Sequence, residues 1–254
     1  MSILLTEMTR EEIRRIAPGA IALLPTASIE QHGPHLPVST DTLLCETVAV
    51  RAAQQAAPQA RVVMAPTLCY GNSQHHYPFP GVLSMNSDTY QAALTEIADG
   101  LVRSGFRKIV ILNGHGGNSA PNTVAALDVV NRLGLPATVA TADYWGLAQA
   151  ALTESGRIAG MRMPGHAGHF ETSMVLALRP DWVDRHVLAT LPALPEDAGV
   201  PYDAAAGAIV QAHGVWAAGP GYTDHPATAN PDDGQAYLEI IVERVAAFLR
   251  AFAG

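Results

Sequence analysis

Four short aliphatic runs, set between longer segments of helical periodicity, constrain this chain more than any other feature. Ala20–Leu24, Arg61–Ala65, Lys108–Leu112 and Ala137–Thr141 are brief, apolar and followed by turn residues. That is the pattern of strands buried on both faces of a parallel sheet. Asp41–Ala57, Ser87–Ser104 and Ser119–Leu133 lie between them, with further helices expected over Trp145–Thr153, Phe170–Leu178 and Gly234–Phe252. In the second segment Tyr90, Leu94, Ile97, Ala98 and Leu101 recur at helical spacing, and Asp88 with Gln91 suggests a capping pair. Strands alternating with helices predict an α/β fold, three-layer α/β/α with a mostly parallel sheet. With 254 residues and no internal repeat, the expectation is one domain over residues 1–254. The Pro-, Gly- and Ala-rich stretch Leu188–Asp233 is read as irregular structure on that same domain.

Composition excludes several function classes. A net charge of −8 and a single lysine, Lys108, argue against a nucleic-acid partner. Two cysteines, Cys45 and Cys69, are too few for a disulfide framework or a thiolate metal site, so a cytoplasmic protein is expected. Met1–Arg15 carries no long apolar core of a signal peptide, and Ala204–Gly221, broken by Gln211 and His213, does not read as a membrane span.

In open α/β sheets, ligands bind beyond the carboxyl ends of the strands, and the chemistry-bearing residues cluster there. After the first strand comes Ser28-Ile29-Glu30-Gln31-His32-Gly33-Pro34-His35-Leu36-Pro37, then Thr40-Asp41. Residues two apart in an extended segment point the same way, so Glu30 and His32 can face one centre. Asp41 opens the next helix, where the helix dipole favours an ionised carboxylate. The set suits zinc or manganese, although a solvated loop with a capping aspartate would read the same on these residues alone.

Beyond the third strand stands Asn113-Gly114-His115-Gly116-Gly117-Asn118. As a dinucleotide loop it lacks the third glycine, and as a lipase-type loop it lacks a partnering G-x-S-x-G. A histidine ligand in a glycine turn is the remaining reading. His166-Ala167-Gly168-His169-Phe170-Glu171-Thr172-Ser173 offers a proton shuttle and a further carboxylate, though helix capping explains Glu171 and Thr172 as well. The Gly71–Ser84 stretch, with His75, His76 and Tyr77 among prolines, suggests a fixed substrate loop or, for His75, a stiffened surface turn.

In order, these four stretches resemble the creatininase (creatinine amidohydrolase) family, whose pattern runs E-Q-H-G-P-H-L-P with T-D, G-x-S-x-x-H-x-x-F-P-G, N-G-H-G-G-N and H-A-G-x-x-E-T-S. The resemblance covers nearly the whole chain and implies two divalent cations per chain, zinc, manganese or iron. By position Glu30 and His115 would hold one, His32 the other, and Asp41 would bridge them. Creatininase proper has a glutamate ligand where this chain has Gly117, and Glu171 is the natural replacement. His166 matches the family's proton shuttle, while Ser73, His76, Gly116, Gly117 and His169 would meet the substrate. Val82 and His169 depart from the residues usual at their positions. The implied activity is hydrolysis of a C–N bond in a cyclic amide, formamide-type or peptide amide. A lactone or cyclic-ketone C–C bond, or a catalytically silent scaffold, are the alternatives. The implied partners are a small amide-type substrate and other copies of the chain in a homo-oligomer, a hexamer by the family's habit. The small residues of Ala204–Gly221 are candidates for that subunit contact.

Overall fold

The computed structural model describes residues 2–158, 163–194 and 213–254. Helix α1 (Arg10–Ile16) leads into strand β1 (Ile21–Thr26), which α2 (Thr40–Ala56) connects to β2 (Val62–Met64). Next come α3 (Ser87–Arg103), β3 (Lys108–Asn113), α4 (Ser119–Leu127), β4 (Thr138–Asp143) and α5 (Tyr144–Glu154). Helices α6 (His169–Leu178), α7 (Arg185–Leu188) and α8 (Pro231–Ala253) complete the described order.

All four strands are parallel, in the order β2-β1-β3-β4. Alternate residues of each strand enter opposite cores. Ile21, Leu23, Val62, Met64, Val110 and Leu112 pack with α2, α5, α6 and α8. Ala22, Leu24, Val63, Ile109 and Ile111 pack with α1, α3 and α4 on the other face. The fold is therefore the three-layer α/β/α sandwich expected. Both faces of β1 and most of β3 are buried, which is why their sequences are continuous apolar runs instead of alternating ones.

The topology fixes where a site can form. From β1 the chain steps to one side, to β2, and then returns past β1 to place β3 on the other. The direction of winding reverses between β1 and β3, so the loops leaving their carboxyl ends diverge and open a crevice. Those are the loops carrying Glu30, His32 and His115.

Several local expectations change. The N-cap of α3 is Asn86, whose side chain accepts from the Thr89 amide, and not the Asp88–Gln91 pair, which falls inside the helix. Past Leu127 the expected continuous helix becomes a π-helical turn, Asp128–Arg132. Helix α1 was not foreseen, although Thr9 and Glu12 form a complete capping box that the sequence spells out. Within Ala204–Gly221, residues 204–212 lie outside the described residues. No described helix is long and apolar enough to cross a membrane.

Helix α6 is pinned tightly against α8. A Cβ at Gly234 would lie 1.9 Å from the Ser173 carbonyl oxygen, so only glycine permits this approach. The first turn of α6 carries Glu171, and the contact holds that turn in register with the sheet.

Candidate metal centre

Glu30, His32, Asp41, His76, His115, His166 and Glu171 are all buried within one cluster at the carboxyl ends of β1 and β3. Asp41 occupies the middle. His32 Nε2 lies 3.0 Å from its Oδ1, and His115 Nδ1 lies 3.1 Å from its Oδ2. His32 Nε2 also sits 3.8 Å from Glu171 Oε2, and His115 Nδ1 sits 3.3 Å from Glu30 Oε2. The other oxygen of Glu30 meets His76 Nε2 at 3.3 Å and His166 Nδ1 at 3.6 Å.

The far nitrogen of each imidazole is tied down. His32 Nδ1 donates to the Glu30 carbonyl at 3.2 Å, and His115 Nε2 donates to the Asn72 carbonyl at 3.1 Å. With those protons assigned by the hydrogen-bond network, His32 Nε2 and His115 Nδ1 are the nitrogens presented to the carboxylates. Backbone carbonyls commonly orient metal-ligating histidines in this way. Gln31 does a similar job. Its Oε1 accepts from the Gly33 amide, which turns its amide nitrogen to donate to His76 Nδ1 at 3.0 Å. His166 Nε2 also lies 2.8 Å from the Gln31 carbonyl, the natural acceptor for its proton, which leaves Nδ1 turned toward Glu30.

Electrostatics follow from burying three carboxylates among imidazoles. Burial by itself would lower His32, but the Asp41 carboxylate, helped by Glu171 and Glu30, raises it to about 10. His115 is likewise raised well above the usual range by Glu30 and Asp41, against the effect of burial. Glu30 is held well below a normal carboxylate by His115 and His76 despite its burial. Burial lifts Glu171 to about 7, with the nearby Asp41 charge adding to the effect. His166 goes the other way: burial and the neighbouring His32 and His76 hold it well below the usual imidazole value, which favours its neutral form.

Both oxygens of Glu30 and Oδ2 of Asp41 are buried without a hydrogen bond. Their imidazole neighbours are close, yet none satisfies them geometrically. Unpaired buried carboxylate oxygens cost several kcal/mol in a protein interior, and a cation is the usual remedy. Among the described residues, three groupings place ligand atoms within 4.8 Å of one another: Glu30 with His32 and His166, Glu30 with His75 and His115, and His32 with Asp41 and Glu171.

Two of the substrate assignments need correction. His169 opens α6 two residues before Glu171, about 200° away around the helix, so it faces elsewhere. Its Nδ1 is bonded to Thr228 Oγ1 at 2.8 Å, its Nε2 lies 3.5 Å from Asp233 Oδ2, and its ring meets Tyr237 edge-on. Gly117 does not open a pocket, because a Cβ there would lie 2.2 Å from the Asn72 carbonyl oxygen and 2.5 Å from His115 Nε2. The glycine makes room for the bond that orients His115. Gly116 is exposed, with nothing within 4 Å of a Cβ built on it. Ser73 is buried and accepts from Ser28 Oγ at 2.9 Å.

Gly117→Ala is accordingly expected to displace the Asn72 carbonyl from His115 and weaken metal binding by ~10–100-fold, the usual worth of an orienting partner. A metal titration checks this, and unchanged affinity would remove Gly117 from the support of the site.

Sequence reading leaves His75 between a substrate loop and a surface turn, and it gives no role to Gln31 or Trp216. The Trp216 ring lies 4.4 Å from His76 and 5.1 Å from His166, centroid to centroid. It comes from a part of the chain with no motif to mark it, and only folding brings it over the imidazoles.

Comparison with known proteins identifies the family. The family model of creatininase, described as creatinine amidohydrolase, matches residues 6–249. The mycofactocin precursor peptide peptidase of Mycolicibacterium smegmatis is 35% identical over 179 residues, 68% of this chain and 63% of the relative, so the match spans less than two thirds of that protein. The creatinine amidohydrolase of Pseudomonas putida is 29% identical over 98% of this chain and 96% of its own. A mutant creatininase solved in its Zn-Zn form superposes with a TM-score of 0.79 at 28% identity, covering 99% of this chain and 98% of that one. With four ordered motifs, the sandwich that converges them and a family match over almost every residue, this chain belongs to the creatininase family.

Proposed function

We propose that the chain is a dinuclear metal-dependent amidohydrolase acting on a cyclic amide, a formamide-type group or a peptide amide. The observation that carries this reading is Asp41, whose two carboxylate oxygens each face a different imidazole nitrogen at 3.0 and 3.1 Å. The donor set fits divalent cations of the zinc or manganese type, being imidazole and carboxylate with unsatisfied buried oxygens. Glu30 and His115 would hold one cation, His32 and Glu171 the other, and Asp41 would serve both.

When bound, such a pair lowers the pKa of water from 15.7 toward ~7 and polarises a carbonyl oxygen. The rest falls to the side chains. Water adds to the amide carbon, the C–N bond breaks, and the departing nitrogen needs a proton. His166 is the candidate carrier. Its neutral form is favoured, its Nε2 is anchored on the Gln31 carbonyl, and its Nδ1 faces the cluster, placed to take a proton from the attacking water and pass it on. Gln31 and Trp216 keep that ring in place, and His76, Ser73 and the open side at Gly116 are the remaining candidates for substrate contact.

Creatinine itself is expected to be a poor substrate, since this chain has Gly117 where creatininase proper has a glutamate beside its substrate. The deciding experiment is metal analysis after zinc or manganese reconstitution, with hydrolysis assays on creatinine, other small cyclic amides and ureas, formamides and short peptides. Metal should approach two ions per chain, and a non-creatinine amide should be cleaved fastest. Saturation at one ion would remove the bridged pair. Creatinine turnover with kcat/KM above ~10⁴ M⁻¹s⁻¹ would remove the substrate argument.

A homo-oligomer, hexameric by family habit, and a cytoplasmic location belong to the same reading. The two cysteines form no disulfide. Ile97 of α3 with Val124, Leu127, Val130 and Leu133 on and after α4 are large apolar side chains left exposed, as a subunit contact would need. Light scattering should report a mass several times that of one chain, and a monomer at micromolar concentration would count against association.

A further inference from the structure

The geometry points to His75 as a further ligand of the Glu30–His115 cation. This inference rests on the two-cation reading above and adds a residue that neither the motif pattern nor the expected ligand set includes.

His75 lies in a short 3-10 turn, Gln74–His76, between the Gly71 loop and the prolines that follow. Its ligand atom falls within 4.8 Å of those of Glu30 and His115, which are themselves 3.3 Å apart. Unlike its partners, His75 is exposed, so its ring can turn toward a cation without disturbing the core. The ring is also prearranged. It lies parallel to His115, within 7° at a centroid distance of 5.8 Å, and stands 4.3 Å from the His76 ring. Trp216 borders it on another side, at 5.8 Å.

Ligand arithmetic gives the position a purpose. The His32 cation would have three protein groups: His32, Asp41 and Glu171. Without His75 the other would also have three: Glu30, Asp41 and His115. Three protein ligands and a water are typical of a catalytic zinc, and four of a closed, tightly held one. Adding His75 makes the pair unequal, with one cation anchored by four groups and the other left with an open position. Gly117 cannot supply the missing ligand, and the turn that brings Asn72 to His115 also delivers His75 to the same side of the loop. Glu30 Oε2, 3.3 Å from His115 Nδ1, is buried without a hydrogen bond.

An alternative role for His75 is stacking alone. Two substitutions separate the roles. His75→Phe keeps a flat ring between His115, His76 and Trp216 but has no lone pair, whereas His75→Glu loses the ring and restores a ligand atom. Zinc and manganese content after dialysis against a graded chelator would be measured for the wild type and both variants, with the visible spectrum of the cobalt(II)-loaded proteins. Circular dichroism would verify folding, which an exposed side chain should not disturb.

If His75 is a ligand, His75→Phe loses one ion at chelator concentrations where the wild type keeps two. Its affinity at that position should fall by at least ~10²-fold, beyond the effect of an orienting partner, and the cobalt spectrum should change. His75→Glu should recover most of the metal. Retention of both ions by His75→Phe, with an unchanged spectrum, overturns the inference and leaves the two-cation reading standing. If the wild type itself saturates at one ion, the two-cation reading falls. The same comparison then decides the inference on that ion: loss in His75→Phe supports it, and retention overturns it.

Discussion

Replacing Asp41 with alanine should empty both cation positions at once and reduce turnover by ~10³-fold or more. The magnitude follows from what the cations contribute: several kcal/mol of transition-state stabilisation, each 1.36 kcal/mol being a factor of ten in rate. No other ligand has this reach, because Asp41 alone presents one oxygen to His32 and the other to His115. The variant also leaves those two buried imidazoles without the carboxylate that raises the pKa of each. Breaking a buried charge pair by removing one partner costs ~3–5 kcal/mol, so Asp41→Ala should also melt earlier. Asp41→Asn is the companion variant, since it preserves volume and an oxygen acceptor but not the charge. It should fold better than the alanine variant and still hold little metal. Elemental analysis beside thermal melts gives both readouts. An Asp41→Ala protein that keeps one tightly bound ion would mean that Asp41 serves a single cation.

His166→Ala should behave in the opposite way, keeping its metal and losing its rate. General acid–base help contributes ~10²–10⁴-fold, and that is the expected fall in kcat. The reasoning is geometric. His166 is bonded through Nε2 to the Gln31 carbonyl, and its Nδ1 is 3.6 Å from Glu30, farther than His32 Nε2 or His115 Nδ1 from its nearest carboxylate. Yet Glu30, His32 and His166 do form one of the groupings with converging ligand atoms. The experiment therefore needs metal analysis as well as kinetics. If His166→Ala strips an ion, the residue is a ligand and the proton must travel by another group. His76 would be the first to examine, being buried beside the same Glu30 oxygen.

Much of this was legible before folding. Strands β1 to β4 lie where the aliphatic runs placed them. Strands β1, β2 and most of β3 are buried, and a strand buried on both faces is apolar along its length, whereas the half-buried edge strand β4 mixes Thr and Ala with its Val. The ends drifted by one or two residues at Thr26, Asn113 and Asp143. These polar residues are in the ladder by register but are satisfied by one another, as in the bonds from Thr26 Oγ1 to Asn113 Oδ1 and from Asn113 Nδ2 to Asp143 Oδ1. A sequence pattern sees their polarity and not their partners. Glu30, His32, Asp41, His115 and Glu171 could be picked out for a related reason: each follows a strand or opens a helix at the crevice, and the structure buries all five there.

What the sequence by itself determined is the layered fold class, the positions of the four strands and of the longer helices, and the residue types delivered to the crevice, since all three depend on local periodicity and on turn chemistry. Only the tertiary structure decided which atoms face which. It turned His169 away from the cluster, because two residues on a helix are 200° of rotation. It filled the space at Gly117 with the Asn72 carbonyl, a contact between residues 45 apart. It set Trp216 over His76 and His166, and put His75 parallel to His115, across loops with no shared periodicity. Such contacts arise from the packing of separate segments, and no pattern within one segment encodes the position of a neighbour that arrives from elsewhere in the chain.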